Sequence, residues 1–317
     1  MNYIIFDLEW NQGVANKENK DKKLPLEIVE IGAVKLNEDR EMIGEFSKLV
    51  KPQIYHEMHN ITRKIIHLQM EELEKGQPFE EVIREFMEWC GEEVLFCTWG
   101  TLDLLELQRN MDYYHITPLS EGPIKYYDIQ KLFSLAYEDG KSRRALEYAI
   151  DALNIKKDIP FHRAFSDAYY TAKVFDKIED PDVLEKYSFD TYRIPSDKEN
   201  EIFIVFNDYA KHITHGFPDK KEMFDEKYIN SPCCYICNRK LSRRVKWFSP
   251  NGKHYYAVGY CMKHGYMKSK IRVRKTQDGE TYSVTTHKLI SKDEKKEIQE
   301  KREEIINKKA ETLKEKP

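Results

Sequence analysis

Two carboxylates in Phe6-Asp7-Leu8-Glu9-Trp10 constrain the fold of this chain more than any other feature. Residues 3–10 alternate apolar and polar positions, the period of a β-strand. On a strand, residues two apart leave the same face with Cα atoms about 6.6 Å apart. Asp7 and Glu9 therefore share a face, while Phe6 and Leu8 point the other way, into a core. A sheet that holds this strand must bury one of its faces there and open the other. Taken alone, the segment is equally consistent with an exposed acidic edge, so its chemistry depends on what the rest of the chain brings to it.

Alternation recurs over Glu27–Leu36 and Glu41–Val50, with turn residues Asn37-Glu38-Asp39 between, and predicts three antiparallel strands in a meander. Phe79–Cys90 has helical spacing, Val94–Thr98 is a short apolar strand, and helical spacing resumes at Leu102. Tyr126-Tyr127-Asp128 opens another short strand. Helices are predicted over Gln130–Tyr137, Arg144–Leu153 and, after a break at Pro160, Phe165–Ile178. This order predicts an α/β sheet covered by helices over residues 1–180. Residues 181–230, with Pro181, Pro195 and Pro218 around a helical stretch Glu199–His212, read as a linker or helical extension. A basic, cysteine-rich domain follows over 231–290. Residues 291–317 read as a charged helix or tail with Ile298, Ile305 and Ile306 as its apolar anchors.

Two more segments complete the first. Asp103 ends Trp99-Gly100-Thr101-Leu102-Asp103, just after a predicted strand, and His162-Arg163-Ala164-Phe165-Ser166-Asp167 opens a predicted helix. D-x-E, a lone D after a strand and H-x4-D, in this order, resemble the three motifs of the DEDDh superfamily of 3′→5′ exonucleases. The resemblance spans about the first 180 residues and includes Glu27-Ile28-Val29-Glu30-Ile31-Gly32-Ala33. Phe-Asp-Leu-Glu-Trp with Trp-Gly-x-x-Asp is most similar to the histone-mRNA 3′ exonuclease group and to bacterial exonucleases labelled inhibitors of a sporulation-kinase pathway. The resemblance implies an RNase H-like fold, a mixed five-stranded sheet flanked by helices, with Asp7, Glu9, Asp103, His162 and Asp167 as catalytic set. It implies two Mg²⁺ or Mn²⁺ ions, with Asp7 bridging both, Glu9 and Asp167 completing one, and Asp103 holding the other directly or through water. His162 would be the general base.

The chemistry supports that set without the family. Phosphodiester cleavage needs a nucleophilic water and neutralisation of charge on the attacking and leaving oxygens, which two divalent ions about 4 Å apart supply. Carboxylates are hard oxygen ligands suited to Mg²⁺ or Mn²⁺. An imidazole, with a reference pKa of about 6.5, can accept a proton at neutral pH. Alone, His162 reads as a surface histidine; the complete set reverses that reading. His59-Asn60-Ile61-Thr62 resembles the substrate-contacting loop of the superfamily. Asn60 and Thr62, with Leu8 and Trp10 beside the carboxylates, are therefore candidate substrate contacts. Equally, Asn60 or Thr62 starts a capped helix and Trp10 fills core.

Cys234-Tyr-Ile-Cys237 and Cys261-Met-Lys-His264 form two ligand pairs at zinc-ribbon-like spacing, suited to one structural Zn²⁺. Cys233 could replace Cys234. Reduced core cysteines are the simpler alternative, which two matched pairs argue against. Around the pairs, basic and aromatic residues interleave. Arg243, Arg244, Trp247, Arg272 and Arg274 are candidate contacts to single-stranded nucleic acid, the cations meeting phosphates and the rings stacking on bases. A basic ribbon that docks an acidic partner is the alternative.

The formal charge of −3 hides a division. Residues 231–317 hold 22 Lys+Arg against 10 Asp+Glu, and residues 1–230 hold 30 against 45. Residues 231–277 hold 12 Lys+Arg and no acid. The acidic part would repel a polyanion without bound cations; the basic part would attract one. No apolar run approaches the roughly 18 residues of a membrane span, the start has no basic region or cleavage site, and the cysteines have metal rather than disulfide spacing. A cytoplasmic chain is expected, with no membrane partner. The functional expectation is a metal-dependent 3′→5′ exonuclease that releases nucleoside 5′-monophosphates from single strands, RNA favoured over DNA. A regulatory binding protein that keeps the fold is the alternative. Retention of all five catalytic-type residues argues against it.

Overall fold

Strand β1 (Asn2–Asn11) lies inside a mixed sheet of order β3-β2-β1-β4-β5-β6, with β2 (Glu27–Leu36), β3 (Met42–Leu49), β4 (Val94–Thr98), β5 (Ile124–Asp128) and β6 (Ser188–Asp190). β1, β2 and β3 pair antiparallel, as the meander requires, and β4 and β5 continue parallel to β1. The expected five strands are all present. A sixth, β6, which the sequence pattern does not predict, pairs antiparallel with β5; the buried Gln108–Asp190 hydrogen bond at 2.7 Å ties it down.

The period-2 pattern of β1 sorts its residues as expected. Ile4, Phe6 and Leu8 pack with Phe79, Val82 and Phe86 of the helix Phe79–Cys90 and with Leu104 and Leu107 of the helix Leu102–Tyr113. Ile5, on the face of Asp7 and Glu9, packs with Leu132 and Phe133 of the helix Ile129–Tyr137 and with Tyr170, Val174 and Phe175 of the helix Ala164–Asp176. One face of β1 is thus core along its length. The other is core only up to Ile5, which leaves Asp7 and Glu9 at an opening beside the Ala164 helix.

The computed structural model describes residues 1–13, 23–66 and 68–314, in two units, Met1–Tyr192 and Arg193–Pro317. The division falls at neither 180 nor 231, because residues 181–192 build the edge of the first sheet and residues 193–230 belong to the second unit. Glu199–His212, expected to be helical, is a hairpin of β7 (Ile202–Val205) and β8 (Tyr209–Ile213). β-branched Ile202, Ile204 and Val205 favour a strand, and Asn207-Asp208 make the turn, closed by Phe206 N–H to Tyr209 C=O at 2.8 Å.

The second unit is an antiparallel sheet of order β7-β8-β12-β11-β10-β9, adding β9 (Ser242–Phe248), β10 (His254–Cys261), β11 (Gly265–Lys275) and β12 (Thr281–Ile290). It is larger than a ribbon confined to 231–290. On one face Phe217, Met223 and Ile229 cover Ile271; on the other, Ile298 and Ile305 of the helix Lys292–Lys314 pack with Val245, Phe248 and Val258. Ile306, the third expected anchor, is exposed. The Glu201 carboxylate, nearly buried, bonds His212 Nε2 at 2.8 Å, His215 Nδ1 at 2.6 Å and the Tyr228 hydroxyl at 2.8 Å, which ties β7, β8 and the segment before β9 together. No helix among the described residues is long and apolar enough to cross a membrane.

Candidate active site and metal centre

β4 pairs with β1 only over Asn2–Ile5. Beyond that point the chain leaves β4 through Gly100, at φ 105°, a backbone state that glycine adopts without strain, and enters the Leu102 helix. Asp103 in its first turn is buried, and its Oδ1 accepts the Leu8 N–H at 3.3 Å. The lone aspartate of the second motif is thus anchored to the strand that carries the first. That strand, β1, runs antiparallel to β2 on one side and parallel to β4 on the other.

Asp167 arrives by a close approach of helix to sheet. Gly32 pairs with Asp7, and a Cβ at Gly32 would lie 1.9 Å from the Phe165 nitrogen. The first turn of the Ala164 helix therefore rests directly on the backbone of β2. Glu30, in register with Glu9 and fully buried, bonds the Arg163 guanidinium through both oxygens and approaches the Ala164 N–H at 3.4 Å.

Asp7, Glu9 and Asp167 consequently converge, each offering an oxygen within 4.8 Å of the other two. Asp103 is outside that trio. Burial first, and then repulsion from nearby carboxylates, pushes each of the four up. Burial, then Asp103, Glu9 and Asp167, raises Asp7 well above the carboxylate range. Burial, then Asp167 and Glu30, raises Glu9 to about 8. Burial raises Asp103 to about 7 against the hydrogen bond from Leu8, and raises Asp167 to about 6 against the backbone N–H and charge of His162. The buried Oδ1 of Asp167 has no hydrogen-bond partner among the described residues. Crowded carboxylates and an orphaned buried oxygen are what a site for hard divalent cations presents before they bind, so the residues fit Mg²⁺ or Mn²⁺.

His162 is exposed, with φ 64°, in the left-handed region that non-glycine residues rarely adopt. It sits just before the Ala164 helix and beside Asp167, whose carboxyl it lowers.

The remaining candidate contacts divide. Leu8 is core, and Trp10 is partly buried against the same cluster. Thr62 is buried, its hydroxyl donating to Trp10 C=O at 3.4 Å. Asn60 is exposed and begins the helix Asn60–Ile65, which His59 caps by accepting the Ile61 N–H. The loop is a capped helix start held to the end of β1. Asn11 and Glu27, missed in the sequence, hold it there. Buried Asn11 donates to Tyr55 C=O and Glu57 C=O and accepts from His59 N–H. Buried Glu27 accepts the N–H groups of Gln53, Ile54 and Tyr55. Glu27 and Glu30 gave a signal, as acids in an otherwise apolar strand must find partners.

In the second unit Cys234, Cys237, Cys261 and His264 bring one donor atom each within 4.8 Å of one another. Cys234 Sγ is 3.4 Å from His264 Nδ1, and Cys261 Sγ is 3.7 Å from both Cys237 Sγ and His264 Nδ1. Donors about 2.3 Å from a tetrahedral centre stand roughly 3.7 Å apart, so the set fits zinc. Cys234 is buried within it and Cys233 is exposed, so Cys234 is the one of the two that joins the cluster. Burial raises the Cys261 thiol, but the Lys263 and His264 amides and the neighbouring thiols bring it down to about 6. The basic candidates separate. Arg243 pairs with Gly259 on one face of the sheet, the face where Trp247 packs beside Tyr255; Arg272 and Arg274 lie on the other, where Arg244 stacks over Tyr260.

The exonuclease family model RNase_T matches residues 4–175. The PolC-type DNA polymerases III of Staphylococcus aureus and Staphylococcus saprophyticus are each 24% identical over 177 residues, 56% of this chain and 11% of the relative. The chain thus matches about a tenth of the length of these curated relatives. Among solved structures, the nuclease domain of 3′hExo, a DEDDh family member bound to rAMP, has a TM-score of 0.47 at 17% identity, covering 56% of this chain and 90% of that one. Escherichia coli exonuclease I in complex with a 5cy-dT13 oligonucleotide has a TM-score of 0.45 at 13% identity, covering 81% and 54%.

Proposed function

From the membership of this chain in the RNase_T exonuclease family through residues 4–175, we propose that it trims single-stranded nucleic acid from a free 3′ end, releasing nucleoside 5′-monophosphates. The observation that carries the reading is the convergence of Asp7, Glu9 and Asp167 from two elements far apart in sequence, with Asp103 bonded to the same strand.

Divalent cations held by Asp7, Glu9, Asp103 and Asp167 would offset the charge that builds on the attacking and leaving oxygens. His162 accepts the proton of the attacking water as its oxygen bonds to phosphorus and the bond to the 3′ oxygen breaks; the leaving oxygen is protonated from solvent. The exposed position of His162 lets it give that proton up between turnovers. Arg163 neutralises Glu30, so this fifth carboxylate stays out of the set. A structural zinc held by Cys234, Cys237, Cys261 and His264 stabilises the second unit, whose cations bind the upstream strand. RNA is favoured over DNA on the likeness of Phe-Asp-Leu-Glu-Trp and Trp-Gly-x-x-Asp to the histone-mRNA 3′ exonuclease group. Reduced cysteines suit a cytoplasmic setting.

The test is chromatography of the products from matched single-stranded RNA and DNA incubated with Mg²⁺, Mn²⁺ or EDTA. Metal-dependent release of nucleoside 5′-monophosphates, faster from RNA, is expected. Release of 3′-monophosphates, or release that survives EDTA, would sink the proposal.

A further inference from the structure

We propose that one face of the second sheet is a track for single-stranded nucleic acid, centred on Lys270, Arg272 and Arg274 of β11. The proposal rests on the nuclease reading and names the surface that holds the strand.

Strand alternation puts Lys268, Lys270, Arg272 and Arg274 on one face of β11, each about 6.8 Å from the next. Register adds His254 opposite Arg272 and Tyr256 opposite Lys270 on one side, and Lys288 opposite Lys268 on the other. The cations crowd one another. Burial and then Arg274 lower Arg272, while burial and then Lys270, Arg272 and Lys253 lower His254. Residues 231–277 hold no acid, so this strand and its β10 neighbour contribute none to the face; the acids that reach it are Asp208, 3.6 Å from Lys288, and Glu297 of the helix Lys292–Lys314, beside Lys268 and Lys270. A face with such an excess of positive charge favours a polyanion.

The aromatic residues decide which polyanion. Phe248 and Tyr256, with ring centroids 5.8 Å apart, line a cavity of about 290 Å³ together with Ile298 of the helix Lys292–Lys314 and the cations Lys268, Lys270 and Lys301. Glu297 is its one acidic lining residue. A cavity with apolar and aromatic walls and cations beside them accepts a base in the cavity and its phosphates on the cations, the pattern of single-strand binding. An acidic polypeptide would meet the charge but brings a planar ring only where an aromatic residue happens to fall beside its acids, whereas a nucleotide strand brings a base with every phosphate. Both faces carry cover, Phe217, Met223 and Ile229 on the opposite one and Ile298 and Ile305 of the helix Lys292–Lys314 on this one, and here the cover leaves Lys270 and Arg272 exposed.

The test measures binding of a fluorescein-labelled oligouridylate to the full chain carrying Asp7→Asn, across a salt series. Replacing Lys270, Arg272 and Arg274 together by Ala should weaken binding about tenfold or more and flatten the slope of log affinity against log salt by about 2, roughly 0.7 for each phosphate no longer neutralised. A matched triple, Lys221→Ala, Arg239→Ala and Lys240→Ala, removes equal charge away from the track and should change affinity less than about threefold. Arg272→Gln alone should act in the same direction as the track triple and covers the case in which that triple misfolds. Equal losses from both triples, or none from the first, would overturn the track. Trimming of the same oligomer by the wild-type chain in Mg²⁺ separates the two readings. Trimming with an unaffected track triple overturns the track alone, and no trimming overturns the nuclease reading.

Discussion

Arg163 grips Glu30 through three hydrogen bonds, from Nε to the two carboxylate oxygens at 3.1 and 3.0 Å and from Nη2 to Oε1 at 2.7 Å, across 133 residues of chain. The pair locks the residue after His162 to the strand neighbouring Asp7 and Glu9, so it sets where His162 and Asp167 stand. Arg163→Lys keeps the charge and loses the fork. It is expected to lower kcat about 10- to 100-fold, the usual cost of losing a partner that orients a metal ligand, with KM for an oligonucleotide little changed. Steady-state kinetics decide this; a raised KM at unchanged kcat would assign Arg163 to substrate instead.

Gly32→Ala tests the close approach of the Ala164 helix to β2. A Cβ there would lie 1.9 Å from the Phe165 nitrogen and 2.1 Å from the Ala164 carbonyl carbon, both backbone atoms that cannot rotate away. Separating helix from sheet should cost more than about 3 kcal/mol, beyond the usual range for overpacking a core. Chemical denaturation measures it, and a loss below about 1 kcal/mol would contradict the packing.

The crowded carboxylates predict an inverted pH profile for the metal-free protein. Unfolded carboxyls lose their protons near pH 4, whereas Glu9 holds its proton to about 8, Asp103 to about 7 and Asp167 to about 6. The stability from these raised groups is complete below pH ~4 and is lost as pH rises through about 6 to 8. In EDTA the melting temperature should therefore fall over that window, and Mg²⁺ should restore it most at the alkaline end. Glu9→Gln should flatten the EDTA profile. A wild-type profile in EDTA that matches Glu9→Gln would contradict the electrostatic account.

Local pattern made much of this legible. Phe79–Cys90 and Val94–Thr98 have the bounds that apolar spacing predicts, and Asp7 and Glu9 share a face because a strand has period 2. The hairpin β7–β8 reads as a helix because Ile202-Phe203-Ile204-Val205-Phe206 is an unbroken apolar run, which fits a helix as well as a strand; the turn at Asn207-Asp208 is the deciding signal. β6 is too short for any period to mark it. The Glu30–Arg163 clamp and the bonds of Asn11 join residues distant in sequence, and no local pattern announces such partners. The division of Arg243 from Arg272 is likewise invisible before the strand register is known.

The cysteine cluster predicts one zinc per chain. Elemental analysis should find it, and Cys237→Ala should remove it and destabilise the second unit, since a structural zinc site contributes folding energy directly. Cys233→Ala, at an exposed thiol outside the cluster, should retain the metal. Loss of zinc in Cys233→Ala with retention in Cys237→Ala would reverse the assignment.

Single-turnover digestion of a 5′-labelled single strand in Mg²⁺, by wild type, Asp7→Ala and His162→Ala, reads the central claim most directly. The wild type should produce a ladder that shortens from the 3′ end, Asp7→Ala should leave the strand intact while still binding it, and His162→Ala should be slower by about 10²- to 10⁴-fold, the range for losing a general base. Digestion by Asp7→Ala at the wild-type rate would contradict the site, and an intact strand with the wild type, bound but uncut, would make this chain a binding protein that has kept the fold of a nuclease.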